Sequence, residues 1–449
     1  MTVSAPVQTL PSVAELQPWV QRVLDGARKL GASAAEASVG VSRGLSTSVR
    51  MGEVESVQFQ RDRELSISVL FGQRTGSAST GDLSDAGLQR AVEAACAIAR
   101  ASGEDPCVGL ADAALMATNF PDLDLCHPWD LSAEAAIELA KECEAAAFAA
   151  DPRVTQSEGA SVDTRHAISL YANTHGFFGA REATDNSLSC VAIAGSGEAM
   201  QNGHWYSSGR ASSDLESASS VGRRAGERAA ARLGAQGLST RTTPVLFPAE
   251  VARGLFGHYL GAISGGALYR RASFLLDRLG EQIFPERINA WQRPFLPRAA
   301  GSSAFDSEGV ATVERAMIEK GVLKSYVLGS YSARKLGTAT TGNAGGVYNL
   351  LVDATFDGDL AALTREMGEG LIVTDLMGQG VNTVTGDYSR GASGFWVENG
   401  VIAYPVQNLT IAGNLGEMFR SISAVANDID RRGGVRCGSV LIDHMTVAG

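Results

Sequence analysis

The chain has 449 residues, enough for two or three domains, and its 45% hydrophobic content is that of an ordinary globular protein. Thirty-eight basic residues stand against 49 acidic ones, a net charge of −11, which argues against a dominant nucleic-acid surface. Six cysteines without CxxC pairing read as reduced thiols and carry no zinc-ribbon or iron–sulfur spacing.

The N-terminus, MTVSAPVQTLPSVAEL, has neither a positive n-region nor an apolar h-region, so no signal peptide is expected. No apolar run approaches the ~20 residues needed to span a bilayer. A cytoplasmic location without membrane contact is the expectation. Residues 12–31 place Val13, Leu16, Val20, Val23, Leu24, Ala27 and Leu30 near helical spacing. From Ala35 to Thr80 the period shifts to two, predicting antiparallel strands with turns near Gly52, Asp62 and Gly72. Asp82–Ala101 is helical again, with Ser84 as N-cap.

The same order then recurs. A helix over Leu131–Ala149, capped by Asp130 or Ser132, precedes four strand-like runs within 153–209. Ser213 or Asp214 opens a further helix to about Leu233. This repetition suggests an internal structural duplication. Ala235–Pro244 is polar and turn-rich and marks a domain boundary. Beyond it, hairpins are expected at Lys320–Gly321 and at Asn399–Gly400, a type I′ signal, then a short helix over Gly413–Ile422 and a closing strand over Val435–Val447. The predicted fold class is α+β. An N-terminal domain (1–238) has helices flanking antiparallel sheets, and a β-rich C-terminal domain (239–449) carries a few helices.

PAEVARGLFGHYL (Pro248–Leu260) is the stretch most suggestive of chemistry. As a helix it has an apolar stripe of Val251, Leu255, Tyr259 and Leu260. A protease zinc helix needs two imidazoles about a turn apart and a glutamate beside the first. Glu250 is present, but Ala249 precedes it, the next turn offers Gly254, and His258 has no imidazole partner in the helix. No GxSxG elbow exists, and GSGEAM and GNAGG match no phosphate-binding loop. Asp306 and Glu308 could bind a cation but read better as turn formers. The remaining histidines are far apart in sequence.

The runs Glu250–Gly280, FDSEGVAT (Phe305–Thr312), SYSARKLG (Ser330–Gly337), TGNAGGVYN (Thr341–Asn349) and Glu366–Val406 resemble the TldD/PmbA family, and most closely its PmbA (TldE) branch. The resemblance covers most of residues 245–449 and is looser before them. It implies a cytoplasmic two-subunit peptidase acting on peptides and unfolded polypeptides. In that family a TldD-type subunit carries an HExxxH helix and binds zinc, and a PmbA-type subunit lacks the zinc ligands. The description "modulator of DNA gyrase" also belongs to the family. Laid on the TldD pattern, Ala249, Glu250 and Gly254 are vestigial motif positions, and Cys437 lies near a further, cysteine ligand. No catalytic residue, no metal ligand and no cofactor are then expected in this chain, with zinc in a TldD-type partner. A homodimer is the alternative assembly, and direct nucleic-acid contact is not expected.

Substrate would add as an extended strand beside the glycine-rich Leu376–Gly394. Gly378 and Gly380 would allow close approach, and Gln379, Asn382 and Thr383 would satisfy peptide amides. The glycines could equally serve only turns and bulges. Two other readings stay open. One is an independent metallopeptidase using dispersed His258, Cys437, Asp306 and Glu308; the other is a non-catalytic peptide-binding or interaction protein.

Overall fold

The computed structural model describes residues 9–449; residues 1–8, within the segment that argues against a signal peptide, lie outside it. Helix α1 (Val13–Lys29) starts at Ser12, whose N–H donates to Glu15 Oε2 at 2.8 Å, and buries Leu16, Val20, Val23, Leu24 and Ala27. Strands β1 (Ala34–Arg50), β2 (Glu53–Phe71) and β3 (Arg74–Thr80) follow, then α2 (Asp85–Ala101), capped by Ser84, which accepts from Gly87 N. Helix α3 (Ala133–Ala150) is capped by Ser132. Strands β4 (Val154–Asn173), β5 (Phe178–Ala194) and β6 (Gln201–Gly209) lead to α4 (Ala218–Ala231).

The predicted repetition is present: α-β-β-β-α occurs twice. The two halves share one six-stranded antiparallel sheet, ordered β3-β2-β1-β4-β5-β6, joined at its centre by β1 and β4. Helices α1 and α2 cover one end of one face; α3 and α4 cover the other end of that face. A pair of glycines marks the equivalence. A Cβ on Gly76 of β3 would strike the α2 backbone at Ala95 and Ala99, and one on Gly203 of β6 would strike α4 at Ala225 and Ala229.

Three local expectations need correction. Asp62 is no turn: β2 runs through it unbroken, with Asp62 opposite Ser42. The polar run around it reflects a strand exposed on both faces, and the hairpin closes at Met51–Gly52, both at positive φ. The turn is pinned there by buried Glu144 of α3, which accepts from the N–H groups of Met51 and Gly52 at 2.8 and 2.7 Å. Two of the predicted runs, on either side of Asp185, are the single strand β5. Helix α4 is capped by Ser217, while Ser213 and Asp214 form a separate 3₁₀ turn.

The C-terminal half begins with β7 (Arg241–Phe247), α5 (Ala249–Ala262) and α6 (Gly265–Tyr269). A small sheet follows, ordered β10-β9-β8-β11-β16. Its members are β8 (Ala290–Gln292), β9 (Arg315–Glu319), β10 (Val322–Leu323), β11 (Leu350–Val352) and β16 (Val435–Arg436). Helices α7 (Ser330–Lys335), α8 (Leu360–Met367) and α9 (Leu415–Arg420) are interspersed. The larger sheet is built from β7, β12 (Gly370–Met377), β13 (Asp387–Glu398), β14 (Val401–Asn414), β15 (Ile422–Val425) and β17 (Val440–Ala448). Because β14 also pairs with β17, strands β14-β13-β12-β7-β17 close on themselves as a barrel. Lys320–Gly321 and Asn399–Gly400 make the expected hairpin turns, all four residues at positive φ. The closing strand is a further correction. It is two strands in different sheets, β16 and β17, interrupted at Cys437–Ser439. No helix among the described residues is long and apolar enough to cross a membrane.

Candidate functional site

Helix α5 leaves the end of β7 through Pro248 and packs on the barrel core. Ala252, Leu255, Phe256 and Tyr259 are buried, and the Tyr259 hydroxyl donates to the Met317 carbonyl at 3.2 Å. Val251 and Leu260, expected in the apolar stripe, are only partly buried. The other face is bare: Gly254, Gly257 and Gly261 are exposed, and a Cβ on any of them would meet nothing within 4 Å. Ala249 points inward, its N–H donating to Ser439 Oγ at 3.1 Å. Five residues separate Ala249 from Gly254, so the two lie about 140° apart around the helix.

Glu250 lies at a junction that its sequence neighbours do not reveal. Its carboxylate pairs with Arg228 of α4, from the N-terminal half. The Arg228 guanidinium stacks over Trp205 of β6 at 4.3 Å, and Arg432 covers Trp205 at 4.3 Å and Tyr206 at 4.5 Å. Arg432 in turn holds Asp430 at 2.9 Å, and Arg253 of α5 approaches the same carboxylate at 3.6 Å. Burial works to raise the Asp430 pKa, but its hydrogen bonds to Arg432 and the charges of Arg432 and Arg253 outweigh that and hold it below the usual carboxylate range. Glu250 is therefore one member of an alternating charge-and-aromatic cluster. Cys437 sits in the core, and burial first, then the Asp430 charge, pushes its thiol pKa far up. Of Ala249, Gly254 and Cys437, only that protonated thiol has metal-binding chemistry. Zinc does not fit this donor set.

His258 is half-buried with its ring edge-on to Tyr388 at 5.9 Å; burial and nearby Arg390 lower its pKa. Asp306 is 2% exposed and organises a loop. Its Oδ1 accepts from Glu308 N and Val310 N at 2.8 and 3.0 Å, and its Oδ2 from Ala344 N at 2.9 Å. Glu308 accepts from Ser330 N at 2.9 Å. Asp306 forms the turn, and Glu308 ties it to the start of α7. The dispersed set His258, Cys437, Asp306 and Glu308 is not brought together; among the described residues, the one His/Cys/Asp/Glu group with converging ligand atoms lies elsewhere, at Cys126, His166 and Glu182.

The glycine-rich segment links β12 to β13. Gly378, Gln379, Gly380 and Asn382 are exposed, and Thr383 is partly so. The segment is tied down: Ser389 N donates to Gly380 O at 2.7 Å, Asn382 Oδ1 accepts from Val384 N at 2.9 Å, and Thr383 O from Phe274 N at 2.9 Å. Gly378 has φ +80, and a Cβ on Gly380 would strike the Ser389 carbonyl, so both glycines have structural reasons to be there. Beside them lies an open edge. β12 pairs with β7 only at Leu371 and Ile372, and runs on to Met377 unpaired on that side, next to α5.

Three family models match the chain: "PmbA/TldA metallopeptidase domain 1" over residues 35–99, the central domain over 126–233 and the C-terminal domain over 240–449. The Metalloprotease PmbA homolog of Haemophilus influenzae is 48% identical over 97% of this chain and 96% of its own. The chain belongs to the PmbA/TldD metallopeptidase family. Metalloprotease PmbA of Escherichia coli O157:H7 is likewise 48% identical, over 92% of each chain. A solved Bacteroides thetaiotaomicron protein described as a modulator of DNA gyrase superposes with TM-score 0.93 at 29% identity, over 98% of this chain and 100% of that one. TldE from Thermococcus kodakarensis shares the fold, with TM-score 0.84 at 20% identity over 96% and 100% of the two chains. In this PmbA/TldD chain, the first two domain models fall one on each α-β-β-β-α repeat.

Asp306 carries a pH dependence. Burial pushes its carboxyl from an ordinary 3.8 up to about 6, against the three backbone N–H groups that hold it down. The folded state then binds a proton that the unfolded chain has released. The stabilisation is complete below the unfolded pKa and is lost as pH rises from about 4 to about 6. Chemical unfolding across that window should show a loss of roughly 1–3 kcal/mol from this group, and Asp306→Asn should flatten it. Equal slopes in the two proteins would refute the assignment.

Proposed function

We propose that this chain is the PmbA/TldE-type subunit of a two-subunit zinc peptidase acting on peptides and unfolded polypeptides. A TldD-type partner would supply the metal and the general base; this chain would shape the chamber and hold the substrate. One observation carries the reading: the motif glutamate, Glu250, is engaged by Arg228, between an alanine and a glycine where imidazoles would be needed. A carboxylate paired with a guanidinium, with no metal-bound water to deprotonate, has no general-base task. Substrate holding is supported by the unpaired edge of β12 beyond Ile372. An extended peptide there would meet strand backbone beyond the β7 pairing, beside α5, with Gln379 exposed at the end.

The test is hydrolysis of an unfolded polypeptide by the purified chain alone and after reconstitution with a TldD-type subunit. The expected result is no turnover alone and chelator-sensitive turnover by the pair. Chelator-sensitive turnover by this chain alone would overturn the assignment. So would failure of the two chains to associate, with this one remaining a homodimer.

A further inference from the structure

Far from α5, three potential metal ligands meet on the helix-covered face of the N-terminal sheet. They lie in the seam between the two repeats. His166 is on β4 and Glu182 on β5, while Cys126 comes from the segment that links α2 to α3 and crosses the sheet there. Cys126 Sγ lies 3.4 Å from His166 Nε2, and Glu182 Oε1 lies 2.7 Å from the same nitrogen. All three ligand atoms lie within 4.8 Å of one another. The scaffold is fixed by Thr184, the register partner of His166. Thr184 N donates to Leu125 O at 3.0 Å, and Thr184 Oγ1 accepts from His127 N at 2.8 Å, so both neighbours of Cys126 are clamped to β5. The ligands thus stand on paired strands and a tethered strap rather than on a free loop.

The geometry separates two chemistries. In a nucleophilic relay, the thiol and the acid take opposite nitrogens of the imidazole. Here both converge on Nε2, and Nδ1 is buried with no hydrogen-bond partner. A tetrahedral zinc with Zn–S about 2.3 Å and Zn–N or Zn–O about 2.0 Å would need S···N near 3.5 Å and N···O near 3.3 Å. The sulfur–nitrogen spacing already fits. Glu182 would withdraw by about 0.6 Å, and its side chain, 46% exposed, can do so.

We propose that Cys126, His166 and Glu182 form a site for a borderline-soft divalent cation of the zinc class, which staples the crossing strap to the seam of the sheet. Thiolate, imidazole and carboxylate supply three ligands. A cavity of about 340 Å³ beside Cys126 and Glu182, walled by Phe120 and Phe305, leaves a fourth position for water. Binding displaces the thiol proton, and the proton on Nε2 moves to Nδ1. Sequence spacing hides the site, because 40 and 16 residues separate its members.

The test uses the full chain, stripped with chelator and titrated with Zn²⁺, and with Co²⁺ as a spectroscopic probe. The expected result is one equivalent per chain, a thiolate-to-cobalt charge-transfer band and a rise in unfolding temperature with Zn²⁺. Cys126→Ser should remove the band and weaken Zn²⁺ binding at least ~100-fold, with Glu182→Gln weakening it less. Cys107→Ser, which alters the other partly exposed thiol, should bind as the parent does. Substoichiometric Zn²⁺, a cobalt complex without the band, or unchanged binding in Cys126→Ser would overturn the proposal. Metal stoichiometry is independent of hydrolysis, so this result leaves the proposed subunit role untouched in either direction.

Discussion

Gly222→Ala is expected to cost ~3 kcal/mol or more, whereas the same substitution at Gly257 should stabilise the chain by about 0.5–1 kcal/mol. Both glycines are helical, so propensity alone gives the two changes the same sign. Packing reverses one of them. On α4, Gly222 and Gly226 lie against α3, where a Cβ would strike the carbonyl oxygens of Cys143 and Ala147 respectively. These contacts are spaced by four residues on each helix, so the two backbones run together with no side chain between them. A carbonyl in a neighbouring helix cannot swing aside, and one added methyl must part α3 from α4. The buried alanine-rich layer beneath, including Ala136, Ala140, Ala225 and Ala229, has no long side chains to refill the gap. On α5, Gly257 faces open space. Urea unfolding midpoints of the two variants should move in opposite directions. A Gly222→Ala midpoint equal to the parent's would show that the helices tolerate separation.

Elements whose signals are local were legible in the sequence. The Ser84 cap and the Asn399–Gly400 turn each depend on residues within one or two turns of chain. The misreadings have a common cause, since long-range pairing overrides local punctuation. Asp62 stands in a polar run, yet β1 holds β2 in register straight through it. Val435–Val447 looks like one strand because only Cys437–Ser439 interrupts it; the partners, β11 for the first part and β7 for the second, show two strands in two sheets. Ala249 and Gly254 can be read from the sequence as standing where the TldD pattern has imidazoles. What occupies the place instead was not legible. Arg228, Trp205 and Arg432 reach Glu250's surroundings from α4, β6 and the loop before β16, and no spacing within residues 248–260 encodes them.

That cluster sets up the strongest functional contrast. In a reconstituted pair, Glu250→Gln in this chain should leave peptide hydrolysis within about twofold, while the glutamine substitution at the HExxxH glutamate of the TldD-type partner should lower kcat by ~10²–10⁴-fold, the range a general base supplies. The asymmetry follows from what each carboxylate can accept. A general base must reach a water whose pKa a metal has lowered, and must be free to take its proton. Glu250 is already paired with Arg228, whose guanidinium lies over the Trp205 ring, so its negative charge is committed to joining α5 to α4. Losing it should instead appear as a modest stability change, on the order of 1 kcal/mol for a partly exposed pair. Arg228→Met should produce a loss of similar size, and the double variant should lose less than the sum of the two. A pair in which Glu250→Gln abolished hydrolysis while assembly and unfolding midpoint stayed unchanged would place Glu250 in the chemistry and end the non-catalytic reading of this chain.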